Sequence, residues 1–182
     1  SKMFSYAGER LGMLIVSPRL FQRRYPDLLR YYSSDQFGRA LVYGAMYALT
    51  AGTSHSAQYA VAAMLKAAND GDLNFVATTR EYGRRAAIMK RHFTENGFTI
   101  VYDTDGSAPI GDGFFFTIAY PGMSAGSLMA ELLRYGISAM GLGITGSAFP
   151  DGLRACVSRF TDDMEPLLAQ RLAAFRQDHP AG

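Results

Sequence analysis

From Arg19 to Gly97 the apolar and polar positions follow mainly a helical period, and much of the chain after Gly97 follows a strand-like period. The apolar run from Leu11 to Ser17 predicts a strand closed by Pro18. Ser33-Ser34-Asp35 has the composition of an N-cap. Helices are predicted over Arg19–Tyr32 with an interruption at Pro26, over Phe37–Leu49, over Ala57–Ala68, and over Leu73–Glu95 up to Asn96-Gly97.

Short segments rich in aromatic and β-branched residues follow Gly97 and predict four strands, over Phe98–Tyr102, Phe114–Ala119, Ile137–Leu142 and Leu153–Ser158. Ser124 caps a helix that ends near Tyr135, and Asp162-Asp163 opens a last helix. Its apolar residues at helical spacing share one face: Met164, Leu167, Leu168, Leu172 and Phe175. Strands separated by helices predict a compact α/β layer from about Leu73 onward.

Composition narrows the class of protein. The 182 residues suffice for one domain, or for one domain with a fragment of another. With 48% hydrophobic and 19% charged residues, the chain is a folded protein and not a disordered tail. Its net charge of +2 is too small to indicate nucleic acid or an anionic membrane as a partner. The single Cys156 fits a reducing compartment, and no run approaches the roughly twenty apolar residues that span a bilayer, so a cytoplasmic protein is predicted.

The strongest chemical signal lies in the first twelve residues. Lys2 precedes Arg10 by eight positions, and Gly8 and Gly12 stand on either side of the arginine. An enclosed lysine amine forms a Schiff base with an aldehyde cofactor, and the planar guanidinium suits a phosphate. Glycines would let the backbone turn and approach closely where a side chain would collide. The pattern therefore favours a cofactor that carries both an aldehyde and a phosphate, such as pyridoxal 5'-phosphate.

This stretch resembles the lysine motif of the class I/II aminotransferases, the aspartate-aminotransferase-like enzymes that use pyridoxal phosphate. The match rests on Ser1-Lys2 and on Arg10 within the pattern Gly-x-Arg-x-Gly. The resemblance implies that Lys2 is the catalytic, cofactor-bonding lysine, that Ser1 belongs to the cofactor site and that Arg10 binds the phosphate. Family members usually place another phosphate-binding serine two residues before Ser1, and this sequence has no residue there.

The same resemblance implies an architecture. Residues 71–182 would form the small C-terminal α/β domain, with a mixed or antiparallel sheet and helices, and residues 1–70 the tail end of the cofactor-binding large domain. Family members are about twice as long, so we interpret the chain as a C-terminal fragment that is inactive alone. The implied activity is transfer of an amino group between an amino acid and a 2-oxo acid, in a homodimer whose active sites borrow residues from the partner.

A second candidate residue lies in the C-terminal part. The turn-rich segment Gly146–Gly152 delivers Arg154 at the head of an apolar strand. The family has an arginine in this context that binds the substrate α-carboxylate, and a guanidinium can hold both oxygens at once. The resemblance therefore implies that Arg154 binds substrate, while a structural salt bridge at a strand end is the alternative.

Other signals receive less weight. Gly141–Gly146 has the pattern G-x-G-x-x-G, but a strand and not a helix follows it, which disfavours a dinucleotide site. The basic set Arg80, Arg84, Arg85, Lys90 and Arg91 is interpreted as a solvated helix face and not as a nucleic-acid surface. No metal site is predicted. A ligand-sensing domain of a transcriptional regulator, a C–S lyase or racemase with the same lysine and arginines, and a catalytically silent assembly module stay open as alternatives.

Overall fold

The computed structural model describes residue 4 and residues 6–111 and 113–180. The chain divides into two compact units, Ser1–Phe75 and Val76–Gly182. None of the helices in the described part of the chain combines the length and the apolar character that a membrane span requires. The assignment of the two units to the domains of an enzyme stays a prediction.

The predicted strand over residues 11–17 is wrong. These residues have no regular secondary structure, although Met13, Leu14 and Ile15 are apolar and exposed. An apolar run becomes a strand only where a neighbouring strand supplies the hydrogen-bond ladder, and the described residues supply none here. Pro18 instead begins helix α1, Pro18–Gln22, which the Ser17 side chain caps by accepting from the Leu20 N–H at 3.2 Å.

One continuous helical segment follows, made of α2 (Phe37–Arg39), a π-helical stretch (Ala40–Met46) and α3 (Tyr47–Thr50). Two aromatic rings lie directly against its glycines, Phe21 on Gly38 and Tyr32 on Gly44. A Cβ at Gly38 would come within 2.3 Å of the Phe21 ring, so the close approach requires glycine there. The segment ends at Ala51, whose φ of 53° is left-handed.

Two further helices match their sequence signals closely. Helix α4 spans His55–Asp70 and ends at Gly71, whose φ is 88°. Helix α5 spans Phe75–Glu95 and is followed by the left-handed Gly97. Glycine reaches this backbone region without the steric cost of a Cβ, which explains why both ends were predictable.

The second unit is built on a four-stranded antiparallel sheet in the order β1-β4-β6-β5. Its strands are β1 (Thr99–Ile100), β4 (Phe115–Ala119), β5 (Met140–Gly141) and β6 (Leu153–Cys156), and a separate hairpin joins β2 (Thr104–Asp105) to β3 (Ala108–Pro109). Helices α6 (Ala125–Arg134) and α7 (Glu165–Asp178) complete the unit. This is the α/β arrangement with an antiparallel sheet that the sequence predicted, although the predicted strands over Phe98–Tyr102 and Ile137–Leu142 are each reduced to two residues.

One face of the sheet carries the core. Phe116 and Ile118 of β4 are opposite Ala155 and Leu153 of β6, and all four are buried. Helices α5, α6 and α7 pack on this face through an apolar set that includes Met89, Phe93, Leu128, Leu132, Leu172 and Phe175. Since side chains alternate along a strand, the strand residues next to these buried ones point to the other face of the sheet. That second face carries Phe115, Thr117, Met140, Arg154 and Cys156, which are half-buried or exposed.

Candidate functional site

Part of the predicted cofactor site can be described. Ser1 and Lys2 lie outside the described residues. A 3-10 turn over Ala7–Glu9 leads into Arg10, which is exposed and has a left-handed φ of 53°. A Cβ at Gly8 or Gly12 would meet nothing within 4 Å among the described residues, so neither glycine is required by packing within the protein, and their role beside a cofactor stays a prediction. The left-handed backbone conformation is found at Arg10 instead. A residue other than glycine pays about 1–2 kcal/mol of conformational free energy to adopt it.

A cavity of about 520 Å³ is lined on one side by Phe4, Tyr6 and residues 11–14 and on the other by the face of α4 that carries Gln58, Val61 and Leu65. Its described lining is mostly apolar, and Arg10 does not line it. Gln58 donates to the Thr53 hydroxyl at 2.7 Å, so this amide already has a partner. The described lining of this cavity therefore offers few hydrogen-bond donors to a phosphate.

Arg154 lies on the open face of the sheet, in the centre of β6. Its guanidinium carbon is 4.1 Å from the centroid of the Phe115 ring, and Nη2 donates to the Met140 Sδ at 3.2 Å. Antiparallel pairing fixes this arrangement, since Arg154 is opposite Thr117 on one side and Met140 on the other. Among the described residues, no carboxylate lies within ion-pair distance of Arg154. The salt-bridge alternative for this arginine therefore has no support in the described structure.

The arginines of α5 have a different environment. Arg84 and Arg85 both donate to Glu81, and Arg84 also bonds Asp162 at 2.7 Å. These hydrogen bonds, that of Arg84 foremost, lower the pKa of Glu81 to about 2. Glu81 and Arg85 are four residues apart and so lie on the same face of α5, where their side chains form an ion pair at 2.9 Å. Much of the basic helix face is thus neutralised by acids of its own unit.

Two further groups outside the open face have shifted pKa values. The His92 ring lies 2.8 Å from the Glu165 carboxylate, and this contact, with Arg91 beside it, lowers the pKa of Glu165. The Tyr135 hydroxyl donates to Asp178 at 2.6 Å, which raises the pKa of Tyr135 to about 12. Both contacts join α7 to a neighbouring helix, so their role is structural.

Sequence reasoning found Arg154 but missed the two residues that hold it. Phe115 and Met140 belong to other strands and lie far from Arg154 along the chain. The strand alternation indicated that each faces one side of a sheet, yet the register that sets them beside Arg154 is a property of the folded pairing. Arg10 and Arg154 belong to separate units, and their convergence on one site stays a prediction.

No family model and no curated protein matches the chain. Solved structures do match: LysN, an α-aminoadipate aminotransferase from Thermus thermophilus complexed with N-(5'-phosphopyridoxyl)-L-leucine, is similar with a TM-score of 0.57 and 16% identity over 80% of this chain. The chain has an aminotransferase-like α/β fold. It covers only 36% of LysN, so it spans little more than a third of that protein's length. A structure of MppP soaked with the product 2-ketoarginine matches 60% of this chain and 30% of that one, with a TM-score of 0.45 and 16% identity.

Proposed function

We propose that the chain is the C-terminal part of a pyridoxal phosphate-dependent aminotransferase of the class I/II type, which transfers an amino group between an amino acid and a 2-oxo acid in a cytoplasmic homodimer. The observation that carries the proposal is the Arg154 guanidinium, held by an aromatic ring and a thioether with no carboxylate partner among the described residues. A guanidinium left with unused donors on an open face is suited to a bidentate carboxylate. The fold shared with LysN supports the assignment.

The proposed roles follow from the chemistry of each side chain. When bound, pyridoxal phosphate supplies an aldehyde for the substrate amine and a ring that accepts electrons from the bond broken at Cα. Arg10 would hold the phosphate oxygens of the cofactor, and the amine of Lys2 would hold its aldehyde group and move the proton at the substrate Cα. Arg154 holds both oxygens of the substrate carboxylate and so orients the bond that breaks. The exposed Arg10 fits an anionic group, and Ser1 completes the phosphate site in the proposal.

Borohydride reduction of the chain in the presence of pyridoxal phosphate tests the cofactor assignment. Lys2, Lys66 and Lys90 are the lysines of the sequence, and peptide mass spectrometry distinguishes them. Label should concentrate on Lys2, and Arg10→Gln should reduce it about tenfold, the effect of one lost charge-assisted hydrogen bond to phosphate. Arg19→Gln, an exposed arginine of α1, is the matched control. Equal labelling of the three lysines, or labelling insensitive to Arg10→Gln, would contradict the proposal.

Activity itself belongs to the longer protein in this proposal. The chain covers 36% of LysN, and the residues that would stack on the cofactor and contact its ring nitrogen are assigned to the preceding half. The chain alone should therefore transfer no amino group. A longer protein that converts an amino acid to its 2-oxo acid would support the transaminase assignment, whereas release of a thiol from a sulfur amino acid would favour a C–S lyase.

A further inference from the structure

Met140 lies beside Arg154 on the open face of the sheet, and its sulfur accepts a hydrogen bond from the guanidinium Nη2 at 3.2 Å. The two residues are directly opposite each other in the antiparallel pairing of β5 with β6, so the register of the strands sets this contact. β5 is an edge strand, and Met140 is 41% exposed, which leaves its side chain open to small oxidants in the solvent. The contact therefore joins an oxidisable sulfur to the arginine assigned to the substrate.

Oxidation changes how strongly this sulfur side chain can hold the guanidinium. A thioether sulfur is only a weak hydrogen-bond acceptor, so Nη2 is held lightly in the reduced protein. When hydrogen peroxide oxidises Met140, the sulfur lone pair forms an S–O bond, the O–O bond breaks and the peroxide is reduced to water. The sulfoxide is polar and carries an exposed oxygen. A hydrogen bond from a charged donor to such an oxygen is roughly twice as strong as one between neutral groups.

The new oxygen would compete with a carboxylate for the same donor. The sulfur is already within hydrogen-bond distance of Nη2, and rotation about the flexible bonds of Met140 is enough to bring an attached oxygen to that N–H. The guanidinium of Arg154 is also held 4.1 Å from the centroid of the Phe115 ring. A carboxylate that needs two parallel N–H donors would then share one of them with the sulfoxide, so its bidentate contact is weakened.

We propose that Met140 is a reversible oxidation site whose sulfoxide holds the Arg154 guanidinium and weakens carboxylate binding there. The oxidation and the new contact follow from the geometry of these two residues, whereas the effect on a substrate rests on the proposed function of Arg154. Sulfoxide reductases convert methionine sulfoxide back to the thioether. Carboxylate binding lost under oxidising conditions should therefore return on reduction.

Treatment of the chain with hydrogen peroxide tests the modification, in a Cys156→Ser background that removes the exposed thiol. Peptide mass spectrometry should find one added oxygen on Met140, and the Arg154 Nε–H resonance should shift in the NMR spectrum without any ligand. Met140→Leu should abolish this shift. Met129→Leu is the matched control and should retain it, because Met129 is 38% exposed but belongs to α6, which packs on the other face of the sheet.

Titration with pyruvate measures the consequence for a carboxylate. The oxidised protein should bind pyruvate about tenfold more weakly, as expected for one weakened charge-assisted hydrogen bond, and treatment with reductases for both sulfoxide epimers should restore the affinity. Met140→Gln, which places an amide oxygen beside the guanidinium, should weaken pyruvate binding without peroxide. Circular dichroism checks that each variant folds.

Three results would overturn the proposal: an Arg154 resonance that peroxide does not move, a shift that persists in Met140→Leu, or an equal affinity for pyruvate before and after oxidation. Failure of pyruvate to bind the reduced protein would count against the proposed substrate role of Arg154. The resonance shift, which is measured without pyruvate, would still decide whether the sulfoxide of Met140 holds the guanidinium.

Discussion

At the scale of single residues, the arginines of the second unit fall into two groups with different uses. Arg84 and Arg91 are paired with Asp162 and Glu165 of the segments next to α5, so their charge is balanced within the fold. Arg85 is paired with Glu81 of α5 itself. Arg154 instead lies 4.1 Å from the Phe115 ring. An aromatic face attracts a guanidinium without occupying the N–H donors of that guanidinium. The N–H groups of Arg154 therefore stay available to a ligand.

Phe115 should accordingly act as a positioning residue for Arg154. Phe115→Leu removes the ring and should weaken pyruvate binding roughly two- to fivefold, because an exposed cation–π contact is worth about 0.5–1 kcal/mol. Phe115→Tyr keeps the ring and should retain the affinity. Titration of pyruvate followed through the Arg154 Nε–H resonance by NMR gives both dissociation constants. Equal affinities of the leucine and tyrosine variants would exclude this role for the ring.

At the scale of elements, helix ends were predictable where glycine or serine marks them. Gly71, Gly97 and Gly136 all have positive φ, and Ser124 accepts from the Ser127 N–H as the N-cap of α6. At the end of α3 the glycine comes one residue later, at Gly52, and the first left-handed residue is Ala51. Ala51 adopts a φ of 53° there, and its amide donates to the Tyr47 carbonyl at 2.8 Å. An alanine in this conformation carries a steric cost that glycine avoids.

Ala51→Gly should therefore raise the free energy of unfolding by about 1 kcal/mol, since it relieves the left-handed strain. The matched change Ala63→Gly, at an exposed position inside α4, should lower it by about 1 kcal/mol because glycine is the poorer helix former. Urea unfolding followed by circular dichroism at the helical band measures both. If the two substitutions shift the midpoint in the same direction, the backbone conformation at Ala51 does not control local stability.

Some elements of this fold could be predicted from the sequence, and others could not. Helix α4 and helix α5 follow from periodicity and their terminal glycines, both of which are local properties of the chain. The error over residues 11–17 and the π-helical stretch Ala40–Met46 depend on what packs beside each segment, which no local pattern records. Arg154 could be singled out as a residue, while its contacts with Phe115 and Met140 required the register of three strands.

At the scale of the whole molecule, the second unit is held together by charge as well as by its core. Arg84 joins Glu81 of α5 to Asp162, in the turn that precedes α7. His92 and Arg91 of α5 contact Glu165, the first residue of α7. The carboxylates of Glu81 and Glu165 both have lowered pKa values, so protonating them costs the folded state more than the unfolded chain.

Acid should consequently destabilise this unit within a defined range. The folded-state pKa of Glu81 is about 2, below the ordinary value, so its contribution to stability is fully present above about pH 5 and is lost as pH falls toward 2. The urea midpoint, monitored by near-ultraviolet circular dichroism, should fall across this range. Glu81→Gln should lower the midpoint near neutral pH and flatten its pH dependence. Glu9→Gln, which removes an exposed carboxylate of the other unit, is the control and should leave both unchanged. A pH profile of Glu81→Gln parallel to that of the unmodified protein would show that the ion pairs between α5 and the start of α7 do not contribute to acid stability.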